Sequence, residues 1–281
     1  MPVLRDANLL MRALRDISGA DIGADAARPL RIDLMGPANL CDAVRERLLS
    51  GLEPSARDAA VQAMRDPDPS AASVALWCHE GSATCRDDMV CWDLEQSVTA
   101  NARALIAARP DLCVRLGALF PELRSAAVSR IIRDTSAVNA KIAMLSAAPT
   151  VFPFLAAVIP PAVMADMLLL TRNQLIMVMR LAAVHGKSPQ ASDRLAELTP
   201  VIAGAFGWRA LARELIGLVP AGAGVVLKGV VAWAGTATVG KAAAYYLRTG
   251  RRMSRRDRTA AYQQAMGEAR YALEPPPKLE P

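Results

Sequence analysis

The chain has 281 residues, enough for two ordinary domains, and 53% of them are hydrophobic while only 4% are aromatic. The apolar content is therefore Ala, Leu, Val, Ile and Met, which favours packed helices. The net charge of +6 comes from 33 basic and 27 acidic residues, a modest excess whose meaning depends on where it clusters, and most of it lies near the C-terminus. The first residues, MPVLRDANLLMRALRD, scatter charge through the segment and carry no apolar run before a cleavage site. That excludes a secretory signal and predicts a chain that starts in the cytosol. Five cysteines (Cys41, Cys78, Cys85, Cys91 and Cys113) without disulfide-like regularity predict reduced thiols and no disulfides.

In chain order, Val3, Ala7, Leu10, Leu14 and Ile17 line one face of a predicted helix ending before Ser18-Gly19. Arg28 to Met35 roughly alternates polar and apolar residues, stops at Gly36-Pro37 and precedes a helix-like run from Asp42 to Leu49, which reads as strand, turn, helix. Pro54 to Ser70 is polar or small with three prolines, and Ser73 to Cys78 is a short buried-strand candidate. From Gln96 onward the spacing is helical. The segments are Val98 to Ala108, Pro110 to Phe120, Pro121 to Leu145, Pro161 to His185, Gln190 to Val219, Gly222 to Leu247 and Arg255 to Leu273. Glu274 to Pro281 reads as a Pro-rich disordered tail. The expected fold is mainly α. A small α/β unit with an N-terminal helix (1–95) precedes an apolar all-helical domain (96–250), then a basic helix and tail (251–281).

The strand-turn-helix at Gly36 occupies the place of a phosphate-binding loop. Such a loop needs a second Gly for close backbone approach, a Lys for charge and a hydroxyl residue for Mg²⁺. Here those positions hold Cys41, Asp42 and Ala43, so an anion stands where a cation should meet triphosphate. Two origins fit: an ordinary strand-turn-helix, or a degenerate remnant of a P-loop GTPase. Both exclude nucleotide hydrolysis by this route, and no cofactor is expected.

Cys78-His79, Cys85 and Cys91 are separated by gaps of six and five residues, unlike the paired C-x₂₋₄-C ligands of zinc ribbons, so no metal is expected. His79 and His185 are the only histidines, and neither accompanies a hydrolase motif. His185, one residue before Gly186, suits a helix end. Asp166, Asn173 and Arg180 recur every seven residues in an apolar helix, with Gln174 beside them. This polar seam is either a hydrogen-bonded junction between helices or a ligand or partner site.

Ile142 to Ala165 has no charge but four prolines, which predicts a bent hairpin. Gly222 to Leu247 could extend about 39 Å as a helix, enough to cross a bilayer, although Lys228 and Lys241 lie inside it. Immediately after it, Arg248, Arg251, Arg252, Arg255, Arg256 and Arg258 place six arginines in eleven residues. A basic cluster beside an apolar segment suits anionic lipid headgroups, while nucleic acid is excluded as a partner by the lack of aromatic-basic interleaving or a reading module.

The half from about Ala147 to Leu247 resembles a bacterial domain of unknown function, the family numbered six-nine-seven. The residues carrying the resemblance are Ala165-Asp166, Leu170-Thr171-Arg172-Asn173-Gln174, Arg180 to Gly186, Gly207 to Arg213, Leu218-Val219-Pro220, and Gly235-Thr236-Ala237 to Gly240-Lys241-Ala242. The resemblance implies membrane association and a link to GTPases, with no established activity to carry over.

The expected function is thus a non-catalytic, membrane-associated accessory or scaffold protein on the cytoplasmic face of the bacterial inner membrane. Its expected partners are an anionic membrane surface and a GTPase or helical protein, with a homo-oligomer as a further candidate. Two alternatives stand beside it. One is a soluble, cytoplasmic helical protein-interaction module with no membrane role. The other is a ligand-binding protein or enzyme using the Asp166, Asn173 and Arg180 face.

Overall fold

The fold is taken from a computed structural model of the chain, which describes residues 19–65, 71–81, 85, 88–151, 163–190 and 223–273. A small N-terminal α/β unit is followed by a mainly helical domain. By contacts the chain divides into two compact units. One contains Gly19–Ile131 with Arg180–Pro189; the other contains Ile132–Met179 and Gln190–Pro281.

In the first unit, helix α1 (Gly19–Ala27) leads into β1 (Leu30–Met35), α2 (Ala38–Leu49), α3 (Pro54–Ala63), β2 (Ala72–His79) and β3 (Val90–Asp93). The three strands form one sheet in the order β1-β2-β3, parallel throughout. Strand β1 buries Leu30 and Ile32, while Arg31 and Asp33 on its other face form an ion pair at 3.1 Å. Helices α2 and α3 make the crossover that a parallel pair requires. Helix α2 buries Cys41, Val44, Leu48 and Leu49, a spacing of three and four that covers one face. The polar, Pro-containing stretch after Pro54 thus holds a helix, with Pro54 in the first turn, where a missing N–H costs nothing.

After the sheet come α4 (Val98–Ala108), a short 3₁₀ turn (Pro110–Leu112), α5 (Cys113–Leu119) and the start of α6 (Pro121–Val151). Ser97 caps α4 by accepting the Ala100 N–H at 3.2 Å. Trp92, Leu105, Ile106, Leu116, Phe120 and Leu123 fill the core. Two half-buried cations finish helices in this unit. Arg115 donates to the Ala26 carbonyl near the end of α1, and Arg124 donates to the Gly117 and Val184 carbonyls. Each sits where orphan carbonyls favour a positive charge. Burial lowers the pKa of both guanidinium groups from their usual value.

Helix α7 (Val163–Val184) ends in a Schellman cap. Lys187 N–H bonds the Ala182 carbonyl, Gly186 N–H bonds that of Ala183, and Gly186 has φ +67°. His185 packs onto this cap, its Nδ1 lying 2.8 Å from the Leu181 carbonyl.

The second unit holds the rest of α6 and α7 with α8 (Ala223–Thr249) and α9 (Arg255–Leu273), the last two packed along one another across the turn at 250–254. Its core includes Ala140, Ala143, Leu175, Met177, Val230, Trp233, Ala234 and Ala237. Gly240 lets α8 approach closely: a Cβ there would lie 2.7 Å from Ile132 Cγ1 and 3.0 Å from Met177 Sδ. The expected helices at Val3–Ile17 and Gln190–Val219, the chain around Pro153 and Pro160, and the tail from Glu274 lie outside the described residues.

The membrane expectation is corrected here. Among the described residues no helix is long and apolar enough to cross a membrane. The strongest candidate, α8, carries Lys228 and Lys241 in its interior, and both find polar partners within the protein. Lys228 donates to Ser146 Oγ at 2.8 Å, and Lys241 lies 3.6 Å from Glu268 of α9. Its apolar residues Val230, Trp233, Ala234 and Ala237 are buried in the unit's own core. With that span goes the basis for a membrane-associated scaffold, an inner-membrane location and an anionic membrane partner. The GTPase and oligomer partners attached to that reading likewise find no support.

Candidate functional site

Parallel α/β sheets place ligands beyond the carboxyl ends of their strands, and here that edge is formed by Met35, His79 and Asp93. At β1, Gly36 has φ +130°, and a Cβ on it would lie 2.5 Å from the Cys78 carbonyl oxygen, so only glycine fits this turn. The phosphate-loop positions that follow have other uses. Cys41 is buried in the core of the unit, and exposed Asp42 pairs with Arg45 one turn along α2. Cys78 is buried as well; desolvation, reinforced by neighbouring Cys41, pushes its thiol pKa up to about 12.

At β3, Asp93 is buried and organises the chain around it. Its carboxylate accepts the backbone N–H of Glu95 at 3.0 Å and of Gly81 at 3.3 Å, and the Gln96 amide at 3.2 Å. The Glu95 N–H is the largest cause holding this carboxyl below its usual pKa, with smaller help from Gln96, His79 and Gly81.

Asp93 faces His79 across the last rung of the sheet. His79 is buried, and neither of its ring nitrogens has a hydrogen-bond partner among the described residues. Beside it the structure bonds Cys85 to Cys91, with Cα atoms 5.8 Å apart, which corrects the expectation that no disulfide forms. The cause is topological. Strand β3 begins level with Leu76, and its parallel register sets Cys91 two rungs before His79, within bonding reach of Cys85.

The polar seam occupies the helical unit. Asn173 Nδ2 donates to Asn139 Oδ1 at 2.9 Å, Asn139 Nδ2 donates to Thr236 Oγ1 at 3.0 Å, and Gln174 Nε2 donates to the same hydroxyl at 3.2 Å. These four side chains tie α6, α7 and α8 together. Asn139 and Thr236 are fully buried, and neither belonged to the sequence-derived site. Their signal was available: Ile132, Ser136, Asn139 and Ala143 recur at helical spacing, with polar residues on the apolar face. Arg180 is exposed, and the side chain of Asp166 lies outside the described residues.

The six arginines from Arg248 to Arg258 are all exposed, around the turn between α8 and α9. Arg248 lies 6.0 Å over the Tyr245 ring. Asp257, the one acid in this stretch, accepts the Ser254 hydroxyl at 2.7 Å while its own N–H bonds Ser254 Oγ, capping α9. No family model matches the chain, and no curated protein or solved structure matches it.

Proposed function

We propose that the protein is a non-catalytic helical interaction module that docks an acidic protein segment on the basic turn between α8 and α9. The observation that carries this reading is the exposure of Arg248, Arg251, Arg252, Arg255, Arg256 and Arg258 around one capped helical turn. A dense positive field at a folded turn recruits acidic partners, and steers them, more effectively than the same charges dispersed over a surface. Elsewhere in this unit, buried Asn139 and Thr236 bond neighbouring helices, which is the behaviour of a scaffold. From its resemblance to the family numbered six-nine-seven the proposal takes only the helical scaffold, through motifs such as Arg180 to Gly186 and Gly235 to Gly240.

The test is fluorescence anisotropy of a labelled Glu-rich peptide with the full chain, against duplex DNA as competitor. Exposed charge pairs contribute about 0.3–0.5 kcal/mol each, so changing Arg251, Arg252, Arg255 and Arg256 to Gln together weakens peptide binding roughly eight- to thirtyfold. Equal binding by the fourfold variant, or tighter binding of DNA than of peptide, overturns the reading.

A further inference from the structure

Beyond the basic turn, the carboxyl edge of the sheet holds a group of side chains with a different chemistry. His79 ends β2, Cys91 lies in β3 opposite Trp77, and Cys85 lies in the connection between the two strands. One imidazole nitrogen and the two sulfurs all lie within 4.8 Å of one another. Tetrahedral zinc with bonds of about 2.0–2.3 Å sets its N and S ligands roughly 3.6–3.8 Å apart, so small side-chain rotations suffice to close the three on one ion.

The second observation is the state of the imidazole. His79 is 8% exposed, and both Nδ1 and Nε2 are buried without a hydrogen bond among the described residues. Leaving such a group unsatisfied is costly, and a metal bond to one nitrogen removes part of that cost. Two thiolates and one imidazole form a soft donor set suited to zinc, and three protein ligands leave a fourth position for water or another ligand.

We infer that the chain with Cys85 and Cys91 reduced binds one Zn²⁺ through Cys85 Sγ, Cys91 Sγ and a ring nitrogen of His79. Binding releases the two thiol protons, and the ion takes the place of the S–S bond. The disulfide and the metal are therefore mutually exclusive. Re-forming the disulfide requires a two-electron oxidant such as oxidised glutathione, which is reduced to two thiols while zinc is expelled.

The sequence spacing gave no hint of this site. The usual paired ligands sit on one tight turn, whereas these three come from one strand end, a neighbouring strand and the segment between them.

The test uses the full-length protein after reduction with a phosphine and removal of metal with a chelator. On adding Co²⁺, wild type develops thiolate-to-cobalt charge-transfer absorption that saturates at one ion per chain and is displaced by Zn²⁺. Cys85→Ser and Cys91→Ser lose this absorption, while Cys113→Ala retains it. A second measurement needs no variant. Alkylation of Cys85 and Cys91 in wild type, followed by mass spectrometry, slows about tenfold or more at saturating zinc. Absence of zinc protection at both cysteines overturns the inference, as does undiminished cobalt absorption in both serine variants.

Discussion

The side-chain amide of Asn101 holds both backbone polar groups of Asp93: its Oδ1 accepts the Asp93 N–H at 2.9 Å, and its Nδ2 donates to the Asp93 carbonyl at 2.7 Å, a carbonyl that also accepts the Gln96 N–H at 3.2 Å. A helix residue thereby stands in for a missing strand at the edge of β3, and it is buried there. Asn101→Ala leaves the buried Asp93 N–H unpaired, while the carbonyl keeps the Gln96 N–H. Urea unfolding of the variant should show a loss of about 1–3 kcal/mol. A loss below about 0.5 kcal/mol would mean that water reaches this edge.

In the helical unit, Thr236 Oγ1 accepts from both Asn139 and Gln174, so its neighbours depend on it. Thr236→Val strands two amide donors and is expected to cost about 2–3 kcal/mol. Asn139→Leu is expected to cost at least as much, since it also removes the acceptor of Asn173. In a double-mutant cycle the two changes should fall short of additivity by about 1 kcal/mol or more. Strict additivity would show that the seam is not one network.

Two glycines of α8 should respond oppositely to the same substitution. Gly240→Ala drives a methyl against Ile132 and Met177 and is expected to destabilise by about 1–3 kcal/mol. Gly235→Ala meets nothing within 4 Å, so the gain in helix propensity should stabilise by about 0.5–1 kcal/mol. Thermal unfolding of the pair, read as the sign of the change, checks how closely α8 packs.

Much of the architecture was legible in the sequence because local physics wrote it. The alternation of Leu30 and Ile32 marked β1, and the helical spacing from Val98 to Ala108 marked α4. Gly186 marked the end of α7. Strand β3 was not legible: four residues, Val90 to Asp93, show no periodicity that distinguishes them from a loop. Helix α3 was hidden by the three prolines of the stretch Pro54 to Ser70, although the first of them opens it. The membrane expectation failed because hydropathy read along α8 cannot register that Lys241 meets Glu268, or that Trp233 is buried among helices. Cys85 and Cys91 were judged by sequence spacing, which is blind to the strand register that brings the two together.

Stability at low pH should depend on Asp93. Its carboxyl has a lowered pKa in the folded chain, so the folded state holds its proton less tightly than the unfolded state does. The contribution is present above the unfolded value of about 4 and is lost as pH falls through the lower folded value. Asp93→Asn removes this dependence. Stability measured at successive pH values below about 4 should therefore fall less steeply in the variant than in wild type, and parallel curves would refute the assignment.

The central claim, that partners engage the exposed turn between α8 and α9, is tested most directly by hydrogen exchange mapped with and without a saturating Glu-rich peptide. Protection confined to residues 248–258 and the adjoining ends of α8 and α9 is the predicted result. Protection centred on the sheet unit, or peptide binding with no protection at the turn, would contradict the claim.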